Sequence, residues 1–201
     1  MVIAIDCRAL QDPLGGGVTE YTRHLVDDLL VHDTKNEYVL FTTGARAVRG
    51  GRAYQASTRC HLVHLHYPNK VLHFAMRFLK GPKLDRLLER RIGKKIDLIL
   101  FPNINFISVS STCHYLLVVH DLSFKLFPEF FSLKRRICHV LVQPQKLIHG
   151  ARTVIAVSEH TKRDIIEQYG VSEEKIKVVY PGIAELTPPS PSYDKRGLRG
   201  S

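Results

Sequence analysis

The chain has 201 residues and a formal net charge of +10, from 29 Lys and Arg against 19 Asp and Glu. That length suits one large domain with a core needing no covalent staple, and 44% apolar with 24% charged residues excludes a disordered chain. The basic charge favours an anionic partner, such as a phosphate ester, an anionic lipid surface or nucleic acid, without choosing among them.

Val2–Asp6 is continuously apolar up to the aspartate and predicts a strand buried on both faces. That run is too short for a signal-peptide core, and no stretch approaches the ~20 apolar residues of a membrane span. Gly15, Gly16 and Gly17 break the chain, and from Val18 to about His32 the residues Tyr21, Leu25, Val26 and Leu29 recur at helical spacing. Tyr38–Thr42 and Cys60–His66 predict two more strands. Val71–Ile92 has helical periodicity interrupted at Gly81-Pro82. Ile96–Phe101 and Tyr115–Val119 predict further strands, and Phe131–His149 a helix bent or ended at Pro144. Thr153–Val157 and Lys177–Tyr180 predict the last strands, flanking a helix from Ser158 to about Tyr169. Residues 186–201 are rich in proline, serine and basic residues without periodicity, and are expected to be a linker or frayed tail.

Strand alternating with helix specifies a parallel sheet covered on both faces. With right-handed crossovers this predicts an α/β fold, a Rossmann-like doubly wound sheet of six or seven strands with Val2–Asp6 near its centre. Ligands of such sheets bind beyond the carboxyl ends of the strands. The candidate loops are therefore residues 6–17, 64–69, 102–106, 120–124 and 158–159, which should share one rim.

Three strings on that rim carry chemistry. Glycines 15 to 17 lead into a helix and let backbone amides approach a diphosphate at the helix N-terminus. The string matches neither G-x-G-x-x-G nor a P-loop, and a plain flexible turn explains it too. His120-Asp121 follows an apolar strand; His120 can donate a hydrogen bond or move a proton, and Asp121 can orient it or cap the next segment. Ser158-Glu159 opens a helix, with Ser158 a good N-cap for Thr161. His64 and His66 share one face of a strand, but no third ligand follows at a convincing spacing, so no metal site is expected. Cys7, Cys60, Cys113 and Cys138 stand far apart, which points to free thiols in a reducing compartment.

The strings IAIDCRAL and GGGVTEYTRHL, then VVHDLSFKLFPEFFS, then TVIAVSEHTKRDIIEQYGVSEEKIKVVYPGI resemble the N-terminal domain of family-4 retaining glycosyltransferases of the GT-B fold. The resemblance covers about residues 1–185, and within the family it is nearest to mannosyl- and glucosyltransferases that build bacterial surface polysaccharides. It implies the acceptor-binding half of an enzyme that moves a hexose from a nucleotide sugar to a glycan or lipid-linked acceptor. It further implies that Gly15, Gly16 and Gly17 approach the donor diphosphate, that His120 sits beside the transferred sugar, and that Ser158 and Glu159 lie at the cleft floor. No cofactor or divalent metal is implied. The family's donor-binding domain, with its paired glutamates and Arg/Lys pair, has no counterpart in this sequence, so the chain by itself is expected to be inactive. The alternative is a non-catalytic Rossmann-like module that docks a separate donor domain or binds a phosphorylated sugar.

Between Lys70 and Lys95 nine Lys and Arg stand against Asp85 and Glu89, interleaved with Val71, Leu72, Phe74, Met76, Phe78 and Leu79. Such a segment either lies on an anionic membrane surface or is a solvated helix face over the core. The first reading would make a cytoplasmic protein peripheral at the inner face of the membrane. Nucleic acid is not an expected partner, because no helix-turn-helix, ribonucleoprotein or zinc-finger string is present.

Overall fold

A computed structural model describes residues 1–44 and 59–182. Among them seven strands form one sheet: β1 (Val2–Asp6), β2 (Glu37–Thr43), β3 (Cys60–Leu65), β4 (Leu98–Phe101), β5 (His114–Val119), β6 (Thr153–Ala156) and β7 (Ile176–Val178). Their spatial order is β3-β2-β1-β4-β5-β6-β7, and every neighbouring pair is parallel. β1 lies between β2 and β4, with Ile5 opposite Leu40 on one side and Leu100 on the other. The predicted α/β Rossmann-like sheet is the fold observed.

The helices are α1 (Gly17–His32), α2 (Asn69–Phe78), α3 (Leu84–Ile92), α4 (Ser123–Leu126), α5 (Leu133–Val142), α6 (Pro144–Gly150) and α7 (Glu159–Tyr169). Strand side chains alternate between two cores, as a pleated ribbon requires. Ile5, Leu40, Leu100 and Val118 face α1 through Val26. Ala4, Val39, Phe41, Ile99, Phe101, Leu117 and Val119 face the opposite way, toward Leu72, Leu84, Leu88, Ile148 and Ile165 of α2, α3, α6 and α7. Central strands read as unbroken apolar runs because both of their faces are covered.

Departures from the predicted elements are local. The break expected at Gly81-Pro82 separates α2 from α3, and the one expected at Pro144 falls at Gln143, whose φ of 56° ends α5. The last strand is Ile176–Val178 rather than Lys177–Tyr180, and β4 starts two residues later than Ile96. The short α4 carries too few residues for periodicity to show. The expected linker, 186–201, lies outside the described residues. Cys7, Cys60, Cys113 and Cys138 are free thiols. No helix among the described residues is long and apolar enough to cross a membrane.

One close contact tests how tightly α6 seats on the sheet. The Tyr115 hydroxyl donates to the Leu147 carbonyl at 2.7 Å, and a Cβ on Gly150 would stand 2.7 Å from that hydroxyl. The buried ring has little room to swing aside. Gly150→Ala is therefore expected to cost about 1–3 kcal/mol in urea unfolding, as overpacking does. The cost should fall sharply in a Tyr115→Phe background, where Leu147 still accepts the Ala151 amide. An equal cost in both backgrounds would place the strain elsewhere.

Candidate functional site

The carboxyl ends of β1, β4, β5 and β6 open on one rim, because all four strands run parallel and adjacent. At the end of β1, Asp6 is 1% exposed and forms a forked pair with Arg8: Nε donates to Oδ1 at 2.9 Å and Nη2 to Oδ2 at 2.6 Å. Arg8 Nη2 also donates to the Phe106 carbonyl at 3.0 Å, so this pair ties the β1 turn to the loop after β4. Such a pair is held in register by its geometry rather than by its net strength, since desolvation offsets most of the attraction.

The glycine string follows. Gly15 has φ +68° and Gly16 φ +153°, conformations that strain any residue with a Cβ. A Cβ on either would meet nothing within 4 Å, so the backbone turn, not packing, requires glycine, and the space over the loop is open. Gly17 is the first residue of α1, and no side chain caps that helix. Thr19 Oγ1 donates to the Ala9 carbonyl at 3.0 Å and pins the first turn of α1 beneath the loop.

His120 stands at the end of β5, partly buried. Its Nε2 lies 2.8 Å from the Pro102 carbonyl. A carbonyl only accepts, so Nε2 carries the proton, and Nδ1 is the nitrogen left for a ligand. The ring meets Tyr21 of α1 edge-on at a centroid distance of 4.8 Å. The glycine-loop helix and the histidine thus share a contact. The His120 carbonyl accepts from Thr161 Oγ1 at 3.1 Å, and the Thr161 amide donates to Ser158 Oγ at 3.1 Å.

This arrangement sorts the sequence candidates. Gly15, Gly16, His120 and Ser158 come together on the rim. Ser158 acts as the N-cap of α7, and its capping of Thr161 is what fixes the backbone of His120. Glu159 is exposed in the first turn of α7, where its charge complements the helix dipole. Asp121 accepts the amide of Ser123, the first residue of α4, at 2.8 Å and so closes the turn into that helix. His64 uses both ring nitrogens within the chain, on Thr42 Oγ1 at 2.8 Å and the Gly44 carbonyl at 3.0 Å. Among the described residues no group of three His, Cys, Asp or Glu side chains is placed to hold a metal ion.

Three contributors were not among the candidate site residues of the sequence: Arg8, Thr161 and His73. The His73 ring stacks on Phe106 at 4.4 Å and 15°. Burial, aided by the nearby Arg8 cation, pushes its imidazole down to about 4. Only the spacing of Thr161 from the Ser158 cap hinted at a role, and nothing local marks Arg8 or His73.

Comparison with known proteins follows the same lines. The family model described as Glycosyltransferase Family 4 matches residues 15–185, most of the chain. A crystal structure of HepE from Anabaena, in complex with UDP and glucose, is similar in fold, with a TM-score of 0.50 and 20% identity over 91% of this chain. The match covers 45% of HepE, so the chain spans about half the length of that protein. No curated protein matches significantly.

The His73 environment has a pH consequence. An imidazole held down to about 4 in the fold and titrating near its ordinary 6.5 when unfolded is neutral in the native state across that window. The unfolded chain takes up the proton first, so stability is fully present above pH 6.5 and is lost as pH falls toward 4. The slope is expected to reach up to roughly 1.4 kcal/mol per pH unit, less where solvent screens the ring. Urea midpoints from pH 7 to pH 4.5 should therefore fall more steeply for the parent chain than for His73→Asn. Parallel curves would show that the ring titrates as it does in water.

Proposed function

The chain belongs to Glycosyltransferase Family 4, and from that membership we propose that it is the acceptor-binding half of a retaining glycosyltransferase. In this reading it serves transfer of a hexose, mannose or glucose, from a nucleotide sugar to a glycan or lipid-linked acceptor in polysaccharide assembly. The observation that supports it most is the fixing of His120: Pro102 holds the ring, Thr161 holds the backbone, and Tyr21 of the glycine-loop helix closes on its edge.

The roles divide as follows. With Nε2 committed to Pro102, a neutral His120 offers the Nδ1 lone pair to a sugar hydroxyl; a protonated ring would donate there instead. Either way the group is preorganised, and it acts most strongly where closure excludes water as charge develops on the sugar ring. Gly15 and Gly16 let the backbone at the start of α1 approach the departing diphosphate, whose charge the helix dipole favours. Asp121 supports the segment after His120 through its bond to the Ser123 amide. Ser158 and Glu159 shape the rim beside it. The reading uses no divalent ion: helix dipoles and cationic side chains, including those of a donor-binding domain, meet the diphosphate charge. The protein then works in the cytoplasm, peripheral to the inner face of the membrane through residues 70–95.

A non-catalytic binding module is the second reading, and the bond from His120 to Pro102 favours it, because holding two loops together is a sufficient task for that ring. Turnover separates the two. With the chain joined to a donor-binding domain, His120→Ala is expected to lower kcat roughly 10²-fold, the scale of losing one preorganised group. Its circular dichroism should be unchanged, since a rim residue leaves little cavity. Near-full turnover would make His120 structural.

Nucleotide affinity is expected to need the second domain. Calorimetry of the chain alone should detect no micromolar binding of a nucleotide sugar, and no nucleoside diphosphate should be released. Micromolar binding would move the donor site onto this domain.

A further inference from the structure

A second surface combines charge and exposed apolar side chains. From Arg59 to Leu84 the sequence has no acidic residue, and from Phe130 to Gly150 there is again none. These two stretches contain α2 and α5, which meet across a cavity of about 390 Å³. Arg77, Lys80, Lys83 and Lys146 line it over a floor that includes Tyr115 and Leu147, and no carboxylate does. None of the four cations forms an ion pair within the described residues. On the other side of α5 a cavity of about 740 Å³ adds Lys125 and Arg136, again without a carboxylate, and shares Gln143 and Lys146 with the first.

The helices bordering these cavities leave apolar side chains in water. In α5, Leu133 is 70% exposed, Ile137 52% and Val140 73%, spaced along one stripe, and no residue of the helix is fully buried. It is held by the His139 ring, stacked on Phe124 at 4.4 Å, and by Val142, which packs on the core. In α2, Leu72 and Met76 face the core while Val71, Phe74 and Phe78 face out, and Arg77 stands 5.0 Å over the Phe78 ring. α2 starts just after β3 at the rim, so its ten residues carry Phe78 roughly 15 Å from that end. Tyr115, near the start of β5, likewise puts the cavity toward the amino ends of the strands, away from the rim.

We propose that α2 and α5, with the cation-lined cavity between them, dock on an anionic phospholipid bilayer, lipid phosphates meeting Lys80, Lys83 and Lys146 while Phe74, Phe78 and Val140 enter the headgroup boundary. A soluble phosphate accounts for the cations but leaves two apolar stripes exposed. A protein partner accounts for the stripes but must then supply anions to both sides of α5. A bilayer offers many phosphates above an apolar layer and satisfies both. The proposal rests on the peripheral-membrane part of the reading above and moves its contact surface from residues 70–95 as a whole to the face shared by α2 and α5.

The test is co-sedimentation of the chain with vesicles of phosphatidylcholine, with and without phosphatidylglycerol, which involves no sugar transfer. Binding is expected only with phosphatidylglycerol and should weaken steeply with salt. Lys80→Glu with Lys146→Glu should lower partitioning more than about tenfold, since each surface cation contributes near 1 kcal/mol. Phe78→Ser with Val140→Ser should lower it by a similar factor; both sites are exposed, so the fold is retained. Added inorganic phosphate should compete only weakly; full displacement at millimolar phosphate would overturn the proposal in favour of a small-anion site. Equal binding by all variants, or no binding to either vesicle, also overturns it. If Arg90→Glu with Arg91→Glu on α3 abolishes binding and the Lys80/Lys146 pair does not, the assigned face is wrong while the peripheral reading stands. A dimer in solution dispersed by Val140→Ser would assign the face to a second copy of the chain and overturn it as well.

Discussion

The pair between Asp6 and Arg8 is the constraint on which the rim depends. A carboxylate at the end of the third strand of a seven-stranded sheet is out of reach of bulk water, and its charge must be met locally. Arg8 meets it from two residues away, which forces the chain to turn sharply as it leaves β1. The same guanidinium reaches the Phe106 carbonyl, and Phe106 in turn carries the His73 ring. One buried ion pair therefore links the turn before the glycine loop, the loop after β4 and the first half of α2. His73 beside it is held neutral chiefly by burial, with the Arg8 cation adding to the effect and Asp6 opposing it.

A second clamp works at the end of β5. Its parts are weak singly: a histidine-to-carbonyl bond, a threonine hydroxyl and an N-cap, each contributing about 1 kcal/mol net. Acting on one residue they leave His120 a single orientation, and Tyr21 adds an aromatic edge from a helix on the other side of the sheet end. The glycine loop and His120 come together because α1 starts where the β1 turn ends and packs against the face that β5 shares. Sheet topology sets their neighbourhood, and these few bonds set their geometry.

The legible part of the structure is the part that periodicity encodes. Val2–Asp6, Tyr115–Val119 and Thr153–Val157 showed themselves as apolar runs because central parallel strands are covered on both faces, and the order of strand and helix then left one plausible topology. Glycine, histidine and serine at strand ends were visible as candidates because loops at the carboxyl ends must meet. What sequence could not supply was pairing across distance. Arg8 bonds to Phe106 over 98 positions, and the Thr161 hydroxyl finds the His120 carbonyl over 41. No local pattern records either. Asp121 is the instructive middle case, since the same carboxylate can serve His120 beside it or the segment that follows, and the sequence does not say that it takes the Ser123 amide.

The face of α5 was illegible for a related reason. Leu133, Ile137 and Val140 repeat at helical spacing, and such a stripe ordinarily marks the side turned to the core. Here the helix is tethered through His139 and Val142 while the stripe faces out, so the periodicity is real but its usual reading is inverted. The charge pattern agrees with the inversion. A core-facing helix places its cations on the opposite, solvated side, where acids intersperse with them; α5 itself carries no acid, and the two cavities beside it are lined by cations without a carboxylate. The same absence of acids distinguishes α2 from α3, where Asp85 and Glu89 accompany Arg86, Arg90 and Arg91. Single-signed charge beside outward apolar residues thus separates two helices from the other elements of the fold. Because α2 begins at the rim and ends at that face, the rim and the basic surface are joined by one helix.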